Sequence, residues 1–329
     1  MLILTREDVR RAAAMPEIMD AVAAGFAQLS SGQADVPLRP HIAIPAQEAT
    51  ALVMPAYLRG DEKLGVKLLT LFPQNPARGL PAIAALVALF DTTNGQPLAL
   101  MDGGLLTALR TGAASGVATR LMARRDARTL ALFGAGGQAL AQVWAVCVAR
   151  PIERVWLVNR TPERAERLAE ELHAFGEPIP ADVRIAGSAR EALAESDVVC
   201  CATGSATPLF EDGDLRAGTH INGVGSHRAS MREVPGATVA RARVIVDQRA
   251  AAWAEAGDLA LARDEGLIGE VHVVGELGEV VLGQVAGRVN DEQVTFFKSV
   301  GNAAQDVAAA HVILARAREL GLGTAIDLA

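Results

Sequence analysis

One turn constrains this chain more than any other feature: Gly134-Ala135-Gly136-Gly137-Gln138-Ala139, placed directly after the apolar run that ends at Phe133 and directly before an apolar helical stretch. A Gly-x-Gly-x-x-Ala turn between a strand and a helix is the mark of a dinucleotide-binding βα unit. Gly134 permits the tight turn, and Gly136 lets the backbone approach a pyrophosphate without a Cβ clash. Ala139 allows the helix to pack close to the strand. The amides of the segment from Gly134 through Ala135, Gly136, Gly137 and Gln138 then face phosphate charge at the helix start.

The surrounding pattern agrees. Strands predicted at 130–133, 155–158, 183–185, 198–202, 220–225 and 244–247 alternate with helices ending near Ala149 and Phe175, and repeated βα units imply a parallel sheet. A chain of 329 residues favours two domains, and the fold class is α/β. The N-terminal third reads differently. It opens with a strand at 2–4, capped helical sequence from Thr5 that restarts at Pro16, and a β-rich stretch over 36–69. Asn94-Gly95 between two apolar runs predicts a hairpin, a helix is expected over about 105–123, and one more helix over 295–320.

The second strand of the parallel sheet ends at Asn159-Arg160-Thr161, where an acid would bind the 2′-hydroxyl of NAD; no acid is present. Asn159 and Thr161 can donate hydrogen bonds and the Arg160 guanidinium can pair a 2′-phosphate, so NADP(H) is the expected cofactor. Thr203 and Val224, at the ends of the next two strands but one, fall where ligands bind in open sheets.

Composition excludes other classes. The net charge is −7 with basic residues scattered, which offers no stripe for nucleic acid. Cys147, Cys200 and Cys201 have neither metal-ligand nor disulfide spacing, so no metal is expected and the thiols read as buried in a reducing compartment. No signal or membrane-spanning segment is visible, which points to the cytoplasm.

Several separated motifs resemble the ornithine cyclodeaminase and mu-crystallin family across nearly the whole chain. They are Leu38-Arg39-Pro40, Gly65-Val66-Lys67, the segment 90–100 with its Asn-Gly turn, Ala108-Leu109-Arg110-Thr111-Gly112, the glycine turn and Asn159-Arg160-Thr161. Further along come His220-Ile221-Asn222-Gly223-Val224-Gly225, Glu255-Ala256-Gly257-Asp258 and Phe297-Lys298-Ser299-Val300-Gly301. The resemblance implies a Rossmann-type doubly wound parallel sheet at 124–294, inserted in a split α+β substrate-binding and dimerisation domain formed by 1–123 and 295–329. It implies a homodimer, and it implies that Arg39, Lys67 and Arg110 face the nicotinamide across a small pocket. Arg110, Thr111, Ser299 and Gly301 are carried over as further cofactor contacts.

The chemistry of that set is coherent. Arginine gives a substrate carboxylate a planar, permanently charged partner, a role suited to Arg39 and Arg110. Lys67, desolvated near cationic neighbours, would have a pKa low enough for proton transfer. His227, in Ser226-His227-Arg228, stands where cyclodeaminases of the family place an aspartate that holds the substrate's terminal amine. The expected activity is therefore NADPH-dependent ketimine reduction: Δ1-pyrroline-2-carboxylate or Δ1-piperideine-2-carboxylate to proline or pipecolate, with Lys67, or His227 through water, keeping the imine nitrogen protonated. Ornithine or lysine cyclodeaminase, alanine dehydrogenase, and a ligand-binding protein that holds NADPH without turnover are the alternatives. Glu255 and Asp258 read equally as helix capping or as an acid near the substrate.

Overall fold

The structure, a computed structural model, describes residues 1–37 and 39–327, so Leu38 of the Leu38-Arg39-Pro40 motif lies outside the described residues. Contacts divide the chain into two units, Met1–Arg110 with Asn302–Ala329, and Thr111–Gly301.

The second unit is an eight-stranded sheet in which every pairing is parallel. Its order is Asp182–Ile185, Arg154–Val158, Thr129–Phe133, Val198–Cys201, His220–Gly223, Thr295–Lys298, Arg243–Val246, Val273–Glu276. Alternation along a strand sends neighbouring side chains to opposite faces, and both faces are apolar. Leu130 and Leu132 enter one core with Val143, Val155 and Leu157. Ala131 and Phe133 enter the other with Val199, Ile221 and Phe296. Winding reverses between Thr129–Phe133 and Val198–Cys201, which makes the carboxyl ends of those two strands the switch point where open sheets bind ligands.

Two expected boundaries move. Residues 295–298 do not begin a helix; they form a strand held between His220–Gly223 and Arg243–Val246, so the second division falls after Gly301 and not at 294/295. The helix Gly103–Met122 contributes its second half to the parallel unit, which moves the first division from 123/124 to 110/111. Hydrogen bonds at its C-terminal end explain why. Arg150 donates to Arg120 and Ala123 at 2.9 Å each, Arg288 donates to Met122 at 2.7 Å, and Asn222 Nδ2 donates to Thr119 Oγ1 at 3.0 Å.

The first unit carries a mixed sheet ordered Thr324–Ala325, Leu2–Leu4, Pro97–Asp102, Ile83–Phe90, Lys63–Leu71, Ala49–Leu58, Ala34–Asp35, with His41–Ile44 also paired to Ala49–Leu58. Its pairs are antiparallel except Leu2–Leu4 with Pro97–Asp102. The predicted hairpin joins Ile83–Phe90 to Pro97–Asp102, with Gly95 at φ +76°. The helix Ala303–Glu319 lies on one face, where Ala303, Ala304, Val307 and Ala308 pack on Met54, Ala56 and Leu58. Each valine- or leucine-sized side chain so buried stabilises the unit by roughly 1.5–3 kcal/mol. Lys67 pairs with Met54 across the sheet and therefore points to this same covered face. Among the described residues no helix is long and apolar enough to cross a membrane.

Candidate active site

In the parallel unit, the glycine turn has the geometry that a pyrophosphate requires. Gly134 adopts φ +104°, and a Cβ there would lie 2.6 Å from the Ala202 carbonyl oxygen, so only glycine fits. Around Gly136 and Gly137 a Cβ would meet nothing within 4 Å, which leaves open space on the side of the turn that leads into the helix Ala139–Ala149. The amides of Gly136, Gly137 and Gln138 make no hydrogen bond among the described residues. The Gln138 Oε1 is buried without a partner. Unpaired amides at a helix start, an open backbone and an orphaned acceptor suit a dinucleotide.

Asn159 ties the second strand to this turn. Its Oδ1 accepts from the Ala135 amide at 3.1 Å and its Nδ2 donates to the Thr161 carbonyl at 2.8 Å. Asn159 thus fixes the turn as well as flanking it. Arg160 is exposed, and its side chain has no partner among the described residues. Thr161 precedes the helix Pro162–Phe175 as N-cap without a side-chain cap bond.

Other predicted positions in this unit are already engaged. Thr203 donates to Glu233 Oε1 from its amide at 2.6 Å and from its hydroxyl at 2.8 Å. Glu233 Oε2 accepts from the amides of Gly225 and Ser226 at 2.8 and 3.1 Å. One buried carboxylate thereby pins the ends of two neighbouring strands, with Val224, half-buried, between the pinned points. Burial raises the Glu233 pKa, and the positive charge of Lys298 opposes that rise. Ser299 donates its hydroxyl to Asp247 Oδ2 at 2.8 Å, and the Gly301 amide donates to the same oxygen at 2.6 Å. Thr111 is buried. His227 is exposed, its Nδ1 lying 2.7 Å from the Gly225 carbonyl oxygen.

Asp258 caps no helix through its side chain. It is fully buried, accepts from the amides of Glu233 and Val234 at 2.7 and 3.0 Å, and pairs with Lys298 at 3.1 Å. Glu255 ends the preceding helix Arg249–Glu255.

The other group of candidates lies in the split unit. Lys67 is 1% exposed and Arg110 6%. Both meet one carboxylate, Asp306, which is 0% exposed: Lys67 Nζ lies 2.9 Å from Oδ1 and 2.7 Å from Oδ2, and Arg110 Nε lies 3.0 Å from Oδ1. Arg110 also donates to Gln305 Oε1. Burial pushes the Lys67 ammonium down to about 8; Asp306 opposes that shift, while Arg110 and Arg39 reinforce it. Arg39 is half-buried. Lys67 and Arg110 thus form a cationic pair on one carboxylate, with Arg39 near enough to act on the Lys67 charge. Such a cluster attracts a second anion.

Asp306 and Gln305 were not among the residues singled out from sequence. Their one signal is local: two polar residues in the first turn of an alanine-rich helix, on the face that the apolar positions Ala303 and Val307 mark as buried.

A parallel sheet with a Gly-x-Gly-x-x-Ala turn at its switch point is the fold of a nicotinamide-dinucleotide oxidoreductase. The chain belongs to the ornithine cyclodeaminase/mu-crystallin family, whose model matches residues 1–321. It is 39% identical over 329 residues, covering 99% of this chain and 100% of the relative, to the Delta(1)-pyrroline-2-carboxylate reductase of Bacillus cereus. The structure of the Thermococcus litoralis Delta(1)-pyrroline-2-carboxylate reductase in complex with NADH and L-proline superposes with a TM-score of 0.94 at 40% identity, covering 99% of this chain and 100% of that one. An archaeal alanine dehydrogenase dimer with bound NAD superposes with a TM-score of 0.91 at 32% identity, covering 100% and 99%. Within its family the chain is a nicotinamide-dependent oxidoreductase acting on carbon–nitrogen bonds.

Proposed function

We propose that the chain is an NADPH-dependent ketimine reductase that converts Δ1-pyrroline-2-carboxylate or Δ1-piperideine-2-carboxylate to proline or pipecolate. The observation that carries this reading is the buried Asp306 carboxylate shared by two buried cations, Lys67 and Arg110. A carboxylate entering that cluster gains a planar partner in Arg110 and a second in Arg39. Lys67, with its pKa near 8, is mostly protonated at neutral pH yet able to release its proton, which suits it to protonate the imine nitrogen. An iminium carbon accepts hydride more readily than a neutral imine carbon. Bound NADPH supplies that hydride to C2 of the ring.

The amides of Gly136, Gly137 and Gln138 hold the pyrophosphate in this reading, and Arg160, with Asn159 and Thr161, takes the 2′-phosphate. The preference for NADPH rests on Arg160 and the missing acid at the end of the cofactor strand. His227 replaces the carboxylate that ring closure of ornithine would use, which favours reduction over cyclodeamination.

A second copy of the chain is assigned to the outer face of the mixed sheet, where Ile42, Leu68 and Leu86 are 56%, 49% and 49% exposed on the side opposite Lys67. The cytoplasm, where reduced NADPH is held, is the compartment this activity fits.

The deciding experiment supplies each ketimine with NADPH and with NADH and follows loss of reduced-cofactor absorbance. Turnover faster with NADPH is expected. Ammonia released from ornithine, or NADH oxidised with pyruvate and ammonia while both ketimines stay untouched, would replace this reading by cyclodeaminase or alanine dehydrogenase.

A further inference from the structure

We propose that Asp306 is a positioning residue for the reduction: its single carboxylate bridges Lys67 and Arg110, and so holds two mutually repelling cations in the arrangement that binds the substrate carboxylate and keeps a proton on Lys67. This rests on the ketimine reductase reading and deepens it.

The placement is costly without such a duty. Asp306 sits in the first turn of the helix Ala303–Glu319, between Gln305 and Val307, on a face otherwise made of alanine and valine. An isolated carboxylate there would be strongly destabilising, and it is tolerated because it pairs twice at 3.0 Å or less. The turn itself is braced. Asn302 caps the helix by accepting from the Gln305 amide at 3.3 Å, and the Gln305 side chain accepts from Arg110. The amide side chain and the carboxylate therefore both hold Arg110, and the carboxylate alone also holds Lys67.

The charged groups that face Lys67 are Asp306 from this helix, Arg110 from the helix Gly103–Met122, and Arg39. Its cross-strand neighbours Met54 and Val87 are uncharged. Asp306 is thus the one negative charge among them. Without it, Lys67 would face two cations in a medium that screens them poorly, and would lose its proton at a lower pH. A carboxylate that docked the helix through Arg110 alone, without holding Lys67, would leave the protonation of Lys67 nearly unchanged.

The composition makes a direct test practical, because the only lysines are Lys63, Lys67 and Lys298. Protein labelled with 13C at lysine Cε and saturated with NADP+ gives three signals to titrate. Wild-type Lys67 is expected to titrate near 8, and the D306N variant about one pH unit or more lower. The alkaline limb of kcat/KM for Δ1-pyrroline-2-carboxylate should move with it. D306E, which keeps the charge, should return the midpoint toward that of the wild type. A Lys67 midpoint unmoved in D306N overturns the proposal. Should D306N not fold, R110M gives the reciprocal reading: removal of the repelling guanidinium raises the midpoint, and an unchanged midpoint is equally fatal. The titration observes Lys67 itself, so a lack of imine turnover would reject the ketimine reading while the midpoint still decides the bridge.

Discussion

Each unit of this protein buries one lysine against one aspartate, yet the two pairs sit in opposite electrostatic company. Lys298 meets Asp258 at 3.1 Å with a second carboxylate, Glu233, close by; both acids accept backbone amides, from Thr203, Gly225 and Ser226 in one case and Glu233 and Val234 in the other. There the excess charge is negative, and it is answered by the amides of the chain. Lys67 meets Asp306 with Arg110 on the same carboxylate, so two cations share one negative charge and the excess is positive. A pair whose remaining charge is met by the backbone holds a structure together; a pair with cationic excess has an unmet attraction for an anion. Pair chemistry alone does not distinguish them. The third charge does.

The contrast can be broken most directly at the two lysines. K67M should lower kcat/KM for ketimine reduction by about 10²–10⁴-fold, the contribution of a positioned acid, with NADPH affinity nearly unchanged. K298M should instead cost roughly 3–5 kcal/mol of stability in denaturant unfolding, because Asp258 and Glu233 lose their cation, while the folded fraction keeps its kcat. A K298M enzyme of full stability but lost turnover would erase the distinction. R110K keeps the charge and loses the planar fork; KM for the imino acid should rise roughly 10–100-fold with kcat less affected. In the parallel unit, R160A should weaken NADPH about tenfold and leave NADH within about twofold, as measured by fluorescence titration, and equal losses would remove the 2′-phosphate contact. H227A is expected to change kcat less than about threefold, since the ring is exposed and held by the Gly225 carbonyl. A hundredfold loss there would move the proton from Lys67 to His227.

Much of the architecture was legible in local pattern. The glycine turn lies between Thr129–Phe133 and Ala139–Ala149, and the Asn94-Gly95 turn closes a hairpin. Two strands of the parallel sheet were not legible. Val273–Glu276 and Thr295–Lys298 are four residues each, too short to display a period, and Thr295–Lys298 owes its conformation to partners 75 and 52 positions earlier in the register, His220 and Arg243. The same limit hid Asp306. It lies 239 residues from Lys67, and nothing beside it in the chain distinguishes it from an acid placed to favour a helix start.

By itself the sequence determined what depends on neighbours a few residues apart: the βα alternation, the turn that admits a pyrophosphate, the hairpin, and a cofactor strand ending in arginine where an acid would otherwise stand. Tertiary structure alone decided which charges share a buried space, that Asp306 joins Lys67 to Arg110, and that Glu233 and Asp247 occupy polar groups at the strand ends. Periodicity and turn chemistry are short-range and written in order along the chain, whereas electrostatic balance in a low-dielectric interior depends on distance in space, which chain order does not record.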